Sequence, residues 1–329
     1  MKEFHLCGLG NAIVDIFLEL SDAEFAGLGF ERGTMRLVEA PEQRDLLKRF
    51  HDHEPRLVSG GSVANSVIAL SQLGGQGAFI GCVGDDRYGL FYESEFEELG
   101  IDMGSPVIVG ETTGTCLCLI TPDAERTMRT CLAVSSRLAA RHVDEERIRN
   151  AHWLFVEGYL FANPDHGQGA IREAIRLAKK HDTRIAVTCS EAFVVNLFGD
   201  AFFEALRDTD LLFCNASEAL AVTKTDGPVA AFEKLKDLVP NAVVTDGANG
   251  AFVRYDKSTV HVPAFPCTPK DLTGAGDMFA GAFLYGVTHH VPPAAAARAA
   301  CYLAMKVITQ VGARLHHGTR EYWGQALGE

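Results

Sequence analysis

Short apolar runs alternate with amphipathic segments along most of the chain, with the periods of strands and helices. The runs that predict strands of the main body are Ala78–Val83, His152–Val156, Arg184–Cys189, Asp210–Cys214, Ala242–Thr245 and Ala251–Tyr255. The segments with helical spacing are Val63–Leu73, Tyr88–Leu99, Gly167–His181 and Ala230–Leu238, followed by two C-terminal helices. This alternation predicts an α/β fold: a doubly wound, mostly parallel sheet with helices on both faces. Ligands of such sheets bind beyond the carboxyl ends of the strands.

Two other stretches contain strand-like runs without a helix between them. The first contains His5–Leu9, Ala12–Leu20 and Thr34–Glu39, and the second contains Thr112–Ile120 and Thr127–Val134. Because neither stretch fits a strand–helix–strand unit, we expect the two to build a small β-sheet that stands off the main body as a lid. Since no linker or repeat divides the chain, we predict one domain over residues 1–329, with a discontinuous lid from about 12–40 and 111–135.

Composition and charge exclude several classes of partner. Apolar residues make up 47% of the 329 residues and charged residues 22%, which is ordinary for a globular protein. The formal net charge of −13 disfavours nucleic acid and anionic membranes as partners. No apolar run reaches the length of about 18 residues that suggests a membrane span, and no secretory segment begins the chain. The sequence therefore predicts a cytoplasmic protein.

Cysteine and histidine spacing does not predict a zinc site. None of the nine cysteines forms a C-x-x-C pair, so most are expected to be buried, reduced thiols. Cys116 and Cys118 have the spacing that places two side chains on one face of a strand. The pairs His289–His290 and His316–His317 lack the i, i+4 spacing of helical metal ligands.

The segment Asp271-Leu-Thr-Gly-Ala-Gly-Asp277 carries the most chemical information, because apolar residues follow it at helical spacing to about residue 290. Gly274, Ala275 and Gly276 would then present unpaired backbone N–H groups at a helix N-terminus, which attracts anions. Asp277 would lie beside the bound anion as a base, as phosphoryl transfer to a hydroxyl requires. The alternative is a tight turn before a helix, with Asp277 as a first-turn acid.

Polar residues in the N-terminal third fit a hydroxylated substrate. Gly60 and Gly61 precede a predicted helix and suit a hinge or a close approach to a ligand. Asn65 offers both a donor and an acceptor to a sugar hydroxyl. Asp15 lies in an apolar strand pattern and could accept two hydrogen bonds from a vicinal diol. The alternative for Ser59–Asn65 is a loop with Ser62 as helix N-cap, and the alternative for Asp15 is an ordinary acid at the lid edge.

Two further segments fit nucleotide binding. Asn215 and Glu218 follow a buried strand and could position a hydrated Mg²⁺, although the same pair matches a capping box. The loop Thr245–Gly250 is either a hairpin turn or a backbone cradle for phosphates. Arg126 and Arg129 could reach over a transferring phosphate or pair at the surface. The sequence has no P-loop and no complete dinucleotide fingerprint, which disfavours a P-loop kinase and a dehydrogenase.

Together and in this order, the motifs resemble the ribokinase (PfkB) family of sugar and nucleoside kinases over essentially the whole chain. The segments that carry the resemblance are Ser59–Asn65 with Gly81–Asp85 and Gly89, Asn215–Glu218, Thr245–Gly250 and Asp271–Asp277. They correspond to the family's N-terminal glycine-rich motif, its N-x-x-E element, its T-x-G-x-x-G loop and its D-[TS]-x-G-A-G-D motif. Leu272 departs from the last motif, so any hydroxyl contact made at this position is lost and we expect the monovalent-cation loop of the family to be altered.

Three segments look most like the adenosine-kinase branch: Gly8–Asp15, Glu125–Thr130, and Arg298–Tyr302 with Gly312. The resemblance implies a ribokinase-like fold and ATP-dependent phosphorylation of a primary hydroxyl, the 5′-OH of adenosine or a related nucleoside. The alternative is a sugar kinase of this family that acts on a ribose- or ketose-type substrate. An alternative of another class is a non-catalytic nucleotide-sensing protein.

The resemblance also implies a role for individual residues. Asp277 is the catalytic base, and Gly274, Ala275 and Gly276 form the anion hole. The residues implied to bind the acceptor are Asn11, Asp15, Gly60, Gly61, Asn65, Arg126 and Tyr159. The residues implied to bind the nucleotide are Asn215, Glu218, Thr245, Gly247, Gly250, Gly274 and Gly276. The implied cofactors are ATP and Mg²⁺, the latter held by Asn215 and Glu218 through water, with K⁺ as a further cation known in the family. The expected assembly is a monomer or a lid-mediated homodimer.

Overall fold

The structure is a computed structural model that describes residues 2–104, 106–123 and 125–328. The strands in these ranges are β1 (Phe4–Leu9), β2 (Ile13–Glu19), β3 (Met35–Leu37), β4 (Arg56–Gly60), β5 (Gly77–Ile80), β6 (Val83–Gly84), β7 (Ile101–Met103), β8 (Val107–Ile108), β9 (Gly114–Ile120), β10 (Arg126–Cys131), β11 (Ala151–Val156), β12 (Arg184–Thr188), β13 (Leu211–Asn215), β14 (Asn241–Thr245), β15 (Ala251–Tyr255) and β16 (Ser258–Val262). The α-helices are α1 (Asp22–Ala26), α2 (Ala40–Arg49), α3 (Ser62–Gln72), α4 (Arg87–Glu98), α5 (Glu145–Arg149), α6 (Gly167–Lys180), α7 (Ala192–Leu206), α8 (Ala216–Thr223), α9 (Pro228–Lys234), α10 (Ala275–Thr288), α11 (Pro293–Ile308) and α12 (Thr319–Leu327). Short 3₁₀ helices lie at Ala133–Arg137, Ala140–His142, Gly158–Ala162, Leu235–Asp237 and Gly247–Asn249.

The large sheet has the strand order β16-β15-β14-β13-β12-β11-β1-β5-β7. All neighbours from β14 to β7 pair in parallel, and β15 and β16 extend one edge in antiparallel fashion. Successive residues of the interior strand β1 point into different cores. Leu6 packs in an apolar cluster with α3, α10 and α11, whereas Cys7 packs in a second cluster with α6, α7 and α9. This arrangement confirms the predicted doubly wound α/β fold.

A second, smaller sheet has the order β3-β10-β9-β2-β4. Helices α1 and α2 cover one of its faces, where Phe25 and Leu46 join an apolar cluster with Ile16 of β2. The opposite face, here called the inner face, presents alternate residues of β2, β9 and β10. Its apolar members are Ile13, Phe17, Cys116 and Cys118, with Val58, Ile120, Met128 and Leu132 packed beside them.

Several elements differ from the sequence prediction. The run predicted as His5–Leu9 is β1, an interior strand of the large sheet and not a part of the small one, because apolar residues on both faces suit a parallel strand between two helix layers. Strand β4 belongs to the small sheet although the apolar pattern predicts no strand there. Helices α2 and α7 are also absent from the prediction, and α12 adds a third helix to the two expected at the C-terminus.

The cysteines and the longest helices bear on two expectations drawn from composition. The nine cysteines are all unpaired and all but Cys267 are buried, which confirms the prediction of reduced, buried thiols. Within the described ranges, no helix combines the length and the apolar character that crossing a bilayer requires.

Candidate active site

Polar residues from four strands meet at the carboxyl edge of the parallel sheet. Asn11 follows β1, and Glu157 directly follows the neighbouring strand β11. Asn215 and Thr245 end the adjacent strands β13 and β14 and are register partners. This edge is where parallel α/β sheets bind ligands, so the fold brings the sequence-predicted residues to a suitable place.

Helix α10 begins as predicted, with Gly274 as its N-cap. Gly274 has a φ of +79°, and a Cβ atom there would overlap the backbone of Ala313, so glycine is required. In the described part of the chain the N–H groups of Gly274 and Gly276 have no acceptor, and that of Ala275 reaches Leu272 O at 3.4 Å. A Cβ atom added at Gly276 would meet open space. The helix start therefore offers unpaired donors and a positive dipole end to an anion.

Asp277 lies in the first turn of α10 and accepts two hydrogen bonds from α3. Ser62 Oγ donates to Asp277 Oδ1 at 2.7 Å, and Asn65 Nδ2 donates to Asp277 Oδ2 at 3.0 Å. Burial raises the pKa of Asp277 to about 6, and the two hydrogen bonds oppose that rise because they favour the ionised form. A carboxylate of this pKa is largely ionised at neutral pH and is a stronger base than an exposed aspartate.

Gly281 permits the close approach of α10 to α3 on which these contacts depend. It lies one turn after Asp277, and a Cβ atom at this position would overlap the backbone carbonyl of Ser66. Ser62 is the first residue of α3, and Gly61 is the N-cap. The capping role that the sequence left open for Ser62 is therefore wrong, and its hydroxyl binds Asp277 instead.

The side-chain amide of Asn65 has a donor in use and an acceptor without a partner. Its Nδ2 donates to Asp277, whereas its buried Oδ1 accepts no hydrogen bond from the described residues. A buried acceptor left in this state costs about 1–3 kcal/mol. The site therefore suits a molecule that brings a hydroxyl to Asn65 Oδ1.

Gly60 and Gly61 carry the chain from β4 into α3 between two of the predicted acceptor-binding groups. A Cβ atom added at Gly60 would lie 2.9 Å from Asp15 Oδ2. At Gly61 it would overlap the carbonyl oxygen of Asn11. Glycine is therefore needed at both positions, because the backbone passes too close to Asp15 and Asn11 to leave room for a side chain.

Asp15 lies on β2, between β4 and β9, so it is not the edge acid that the sequence left open. Burial raises the pKa of Asp15 to about 6; Arg126, Arg314 and Arg56 lower it, and Asp277 raises it. Gly60 lies beside the carboxylate of Asp15, and Ser62, two residues later, donates to Asp277, so this short backbone segment connects the two carboxylates. Across the described ranges, the carboxylate of Asp15 accepts no hydrogen bond.

Glu157 is a site residue that the sequence analysis did not identify. Its Oε1 accepts a hydrogen bond from Asn11 Nδ2 at 2.6 Å, and its Oε2 accepts from the N–H groups of Asn11 at 3.3 Å and Val63 at 3.2 Å. Burial raises the pKa of Glu157 to about 7, although these hydrogen bonds lower it. The residue links β1, β11 and the start of α3. Its only sequence signal is a single acid after an apolar run, which is common in loops.

Arg314 is a second residue that the sequence analysis missed. It is buried, and its Nη2 donates to Ser59 O at 2.5 Å and to Glu95 Oε2 at 3.3 Å. Its positive charge lowers the pKa of Asp15. Because Ser59 lies 255 positions earlier, no local pattern reveals this contact.

Arg126 attaches the small sheet to the loop before α10. Its Nη1 forms an ion pair with Asp271 and donates to Thr273 Oγ1 at 3.0 Å. Both members of the ion pair are largely buried, so surface pairing does not describe this arginine. Arg129 points to the opposite face of the small sheet from Arg126 and donates to Thr34 O, so it does not reach the site.

Leu272, which departs from the motif pattern, has a side chain that is 70% exposed. The residues on either side of it keep their polar contacts. Asp271 accepts a hydrogen bond from the Gly312 N–H group at 2.8 Å, and Thr273 accepts one from Arg126. The loop is therefore held without a hydroxyl at position 272.

Asn215 and Glu218 form the capping box that the sequence allowed as an alternative reading. Asn215 Oδ1 accepts from the Glu218 N–H group at 2.9 Å, and Asn215 Nδ2 donates to Glu218 Oε1 at 2.7 Å. Burial raises the pKa of Glu218 to about 7; the Asn215 N–H group lowers it, and Glu191 and Asp277 raise it. A divalent cation would relieve the repulsion among these carboxylates. The donor set therefore fits a hydrated Mg²⁺.

The loop Thr245–Gly250 joins the antiparallel strands β14 and β15, so it is a hairpin connection. Gly250 abuts the backbone of residues 262–264. Those residues line a cavity of about 320 Å³ together with Phe265 and Arg298. The loop and the cavity thus lie next to each other.

Tyr159 lies in the 3₁₀ turn after Glu157 and is partly buried. Its ring centroid is 6.4 Å from that of Phe193. Burial raises the pKa of Tyr159, and the carboxylates of Glu191 and Glu157 raise it further. The phenol therefore stays protonated beside the acidic groups of the site.

Known proteins share both the sequence pattern and the fold. A sequence model described as pfkB family carbohydrate kinase matches residues 34–318. The chain is 26% identical over 302 residues to adenosine kinase of Saccharomyces cerevisiae, and the match covers 85% of this chain and 87% of that protein. The crystal structure of adenosine kinase from Sinorhizobium meliloti has a TM-score of 0.88 and 30% identity, with 99% of this chain and 100% of that chain covered. A probable sugar kinase from Rhizobium etli has a TM-score of 0.88 and 29% identity, with 99% of each chain covered.

Proposed function

Because the chain belongs to the pfkB family of carbohydrate kinases, we propose that it transfers the γ-phosphoryl group of ATP to the 5′-hydroxyl of adenosine or a related nucleoside. Membership of the family makes the protein a phosphotransferase that acts on a hydroxyl group of a nucleoside or a sugar. The similarity to adenosine kinases supports the nucleoside, whereas the similarity to a probable sugar kinase keeps the sugar as the second candidate.

One observation favours a nucleoside over a free sugar: Asp15 lies on the inner face of the small sheet among apolar side chains. The flanking residues of β2, Ile13 and Phe17, are apolar, as are Met128 and Leu132 beside them. A ribose diol matches the unpartnered carboxylate, and the flat base matches an apolar surface. A free sugar would leave that surface without a matching group, because hydroxyls surround its ring.

Asp277 is the proposed base. As the 5′-oxygen attacks the γ-phosphorus, its proton passes to the Asp277 carboxylate, the new O–P bond forms and the bond to the β-phosphate oxygen breaks, which releases ADP. Ser62 and Asn65 fix the orientation of this carboxylate through their two hydrogen bonds. Asn65 Oδ1, which lacks a donor, would accept a hydrogen bond from the nucleoside.

The start of α10 would stabilise the charge of the transferring group. The unpaired N–H groups of Gly274 and Gly276 are preorganised donors, and the loss of one such donor typically costs about 10²–10³ in rate. Arg126, which holds Asp271 and Thr273, lies beside this helix start and brings the small sheet over it. We therefore assign the small sheet the role of a lid that excludes water from the acceptor hydroxyl.

Glu218, with Asn215, would hold Mg²⁺ through water at the same edge of the large sheet. When bound, the ion would offset phosphate charge. Thr245, Gly247 and Gly250 would contact the nucleotide, because their loop lies next to the cavity lined by Arg298. The protein residues themselves bind and orient the two substrates.

ADP release measured across a matched panel tests the acceptor. The panel contains adenosine, inosine, cytidine, ribose and fructose, with 5′-deoxyadenosine as the control that lacks the attacking hydroxyl. We expect the highest kcat/KM with adenosine, and competitive inhibition without turnover by 5′-deoxyadenosine. A kcat/KM for a free sugar that exceeds every nucleoside value would replace the proposal with a sugar kinase. The absence of turnover with every acceptor would favour a nucleotide-sensing protein.

A further inference from the structure

Cys116, Cys118 and Asp15 form a cluster of possible metal ligands on the inner face of the small sheet. One ligand atom from each lies within 4.8 Å of the other two. The register explains the cluster, because Asp15 is the Cα partner of Cys116 across β2 and β9, and Cys118 follows on the same face. Sequence spacing alone did not predict a zinc site, since only the fold brings Asp15 to the two thiols.

We propose that these three residues bind a soft divalent cation such as Zn²⁺ or Cd²⁺ through two thiolates and one carboxylate. The Sγ atoms of Cys116 and Cys118 are 3.7 Å apart. Zinc binds thiolate sulfur at about 2.3 Å, so two sulfurs of a tetrahedral site are separated by roughly 3.8 Å. The thiols thus already stand at the separation that a tetrahedral ion requires.

The charges around the cluster also suit a divalent ion. Arg126 Nη2 lies 3.9 Å from Cys118 Sγ. A divalent ion would offset the two negative charges of the thiolates, and Arg126, which also pairs with Asp271, adds positive charge beside Cys118. Asp15 accepts no hydrogen bond in the described ranges, so no protein donor has to be displaced before it binds an ion. Thr130 Oγ1, 3.2 Å from Cys116 Sγ, can donate to the thiolate as a supporting contact.

A disulfide between the same cysteines suits the strand less well. Residues i and i+2 of an extended strand are about 6.6–6.8 Å apart at Cα, which is the upper limit for an unstrained disulfide. Both residues pair with β2 and β10 on either side, so shortening the strand would break its register. Metal ligation needs no such movement, because the sulfurs stay apart.

Three protein ligands leave one tetrahedral position open, and Asp15 is also the proposed partner of the nucleoside diol. A bound ion and the nucleoside would therefore exclude each other, a consequence that rests on the proposed function. Soft cations would inhibit the enzyme in competition with the acceptor. Mg²⁺, which prefers oxygen ligands, would not occupy this position.

Titration of the reduced, metal-free protein with Co²⁺ tests the site without any need for turnover. A tetrahedral thiolate site gives an intense sulfur-to-cobalt charge-transfer absorption, which one equivalent of Zn²⁺ then removes. We expect one such site in the wild type and in the matched control Cys131→Ser. Cys131 is buried in the same sheet, but its side chain on β10 points away from the inner face, so it is not a ligand of the proposed site. We expect at least 100-fold weaker binding in Cys118→Ser and in Cys116→Ser.

The site is refuted if the wild type shows no thiolate absorption, or if Cys131→Ser loses it while Cys118→Ser keeps it. If the cysteine variants do not fold, as judged by their melting curves, Asp15→Asn replaces them and is expected to weaken Co²⁺ binding at least tenfold. Adenosine is expected to raise the apparent Kd for Co²⁺ in the wild type. An unchanged Kd at saturating adenosine would refute the overlap with the acceptor, whereas the cobalt absorption itself would still report the metal site.

Discussion

Removal of the Ser62 hydroxyl should raise the pKa of the base and shift the pH dependence of the reaction. Ser62 Oγ donates to Asp277 Oδ1 at 2.7 Å, and this bond favours the ionised carboxylate. A hydrogen bond to a charged group contributes about 1.5–3 kcal/mol, and 1.36 kcal/mol corresponds to one pKa unit. Ser62→Ala should therefore raise the pKa of Asp277 from about 6 to roughly 7–8.

The assay is the pH profile of kcat/KM for the acceptor, with ATP saturating, from pH 5.5 to pH 9.5. A base must be ionised to accept a proton, so the acidic limb of the profile should move upward by about 1–2 pH units. Activity at pH 6.5 should fall roughly tenfold through protonation alone, and this part of the loss should disappear by pH 9.

The matched control is Ser66→Ala, one turn further along α3. Ser66 Oγ donates to Ser62 O and does not contact Asp277, so the acidic limb should stay in place. A limb that does not move in Ser62→Ala, or that moves to lower pH, would refute the reasoning that this hydroxyl stabilises the ionised base.

Three further changes test the packing and electrostatics of the site. Gly281→Ala places a Cβ atom against the backbone of Ser66 and should separate α10 from α3, which should lower kcat by about 10²-fold. The control Gly169→Ala on α6, where a Cβ atom meets open space, should leave kcat unchanged. Equal kcat values for the two variants would contradict the argument that α10 and α3 must approach closely. The pKa of Glu157 is about 7 in the folded chain against an ordinary 4.5, so its stabilising contribution is complete below pH 4.5 and is lost as the pH rises through 7. Glu157→Gln should therefore reduce the fall in unfolding free energy between pH 5 and pH 8 by about 2.5 kcal/mol in urea titrations, and an identical fall in both proteins would show that Glu157 is not the titrating group. Leu272→Thr should change the unfolding free energy by less than about 0.5 kcal/mol, because the leucine is 70% exposed; a larger change would mean that this side chain packs against the protein.

The apolar pattern predicts the large sheet well because most of its strands are buried on both faces and lie between amphipathic helices. The helix at Ala275–Thr288 follows from its spacing and from the glycines before it. Strand β4 is missed because only Leu57 and Val58 are apolar and both are only partly buried, between an exposed Arg56 and the polar or small residues Ser59 and Gly60. A pattern so short carries little periodic information.

The sequence predicts the candidate site where its residues form a contiguous motif, and does not predict it where the site depends on contacts between distant segments. Asp277 stands within such a motif, but its partner Ser62 lies 215 positions away and also reads as a helix cap. Glu157 accepts a hydrogen bond from Asn11, and Arg314 donates one to Ser59. Both partners are distant in sequence and come close only in the folded chain. Single polar residues of this kind cannot be separated from ordinary loop residues by spacing.

The most direct test of the central claim is single-turnover phosphorylation of adenosine by Asp277→Asn, measured beside adenosine binding by calorimetry. Asparagine keeps the shape of the side chain but cannot serve as the base. We predict that the phosphorylation rate falls by about 10²–10⁴-fold while the Kd for adenosine stays within about threefold of the wild-type value. A rate within tenfold of the wild type, with adenosine still bound, would contradict the assignment of Asp277 as the base.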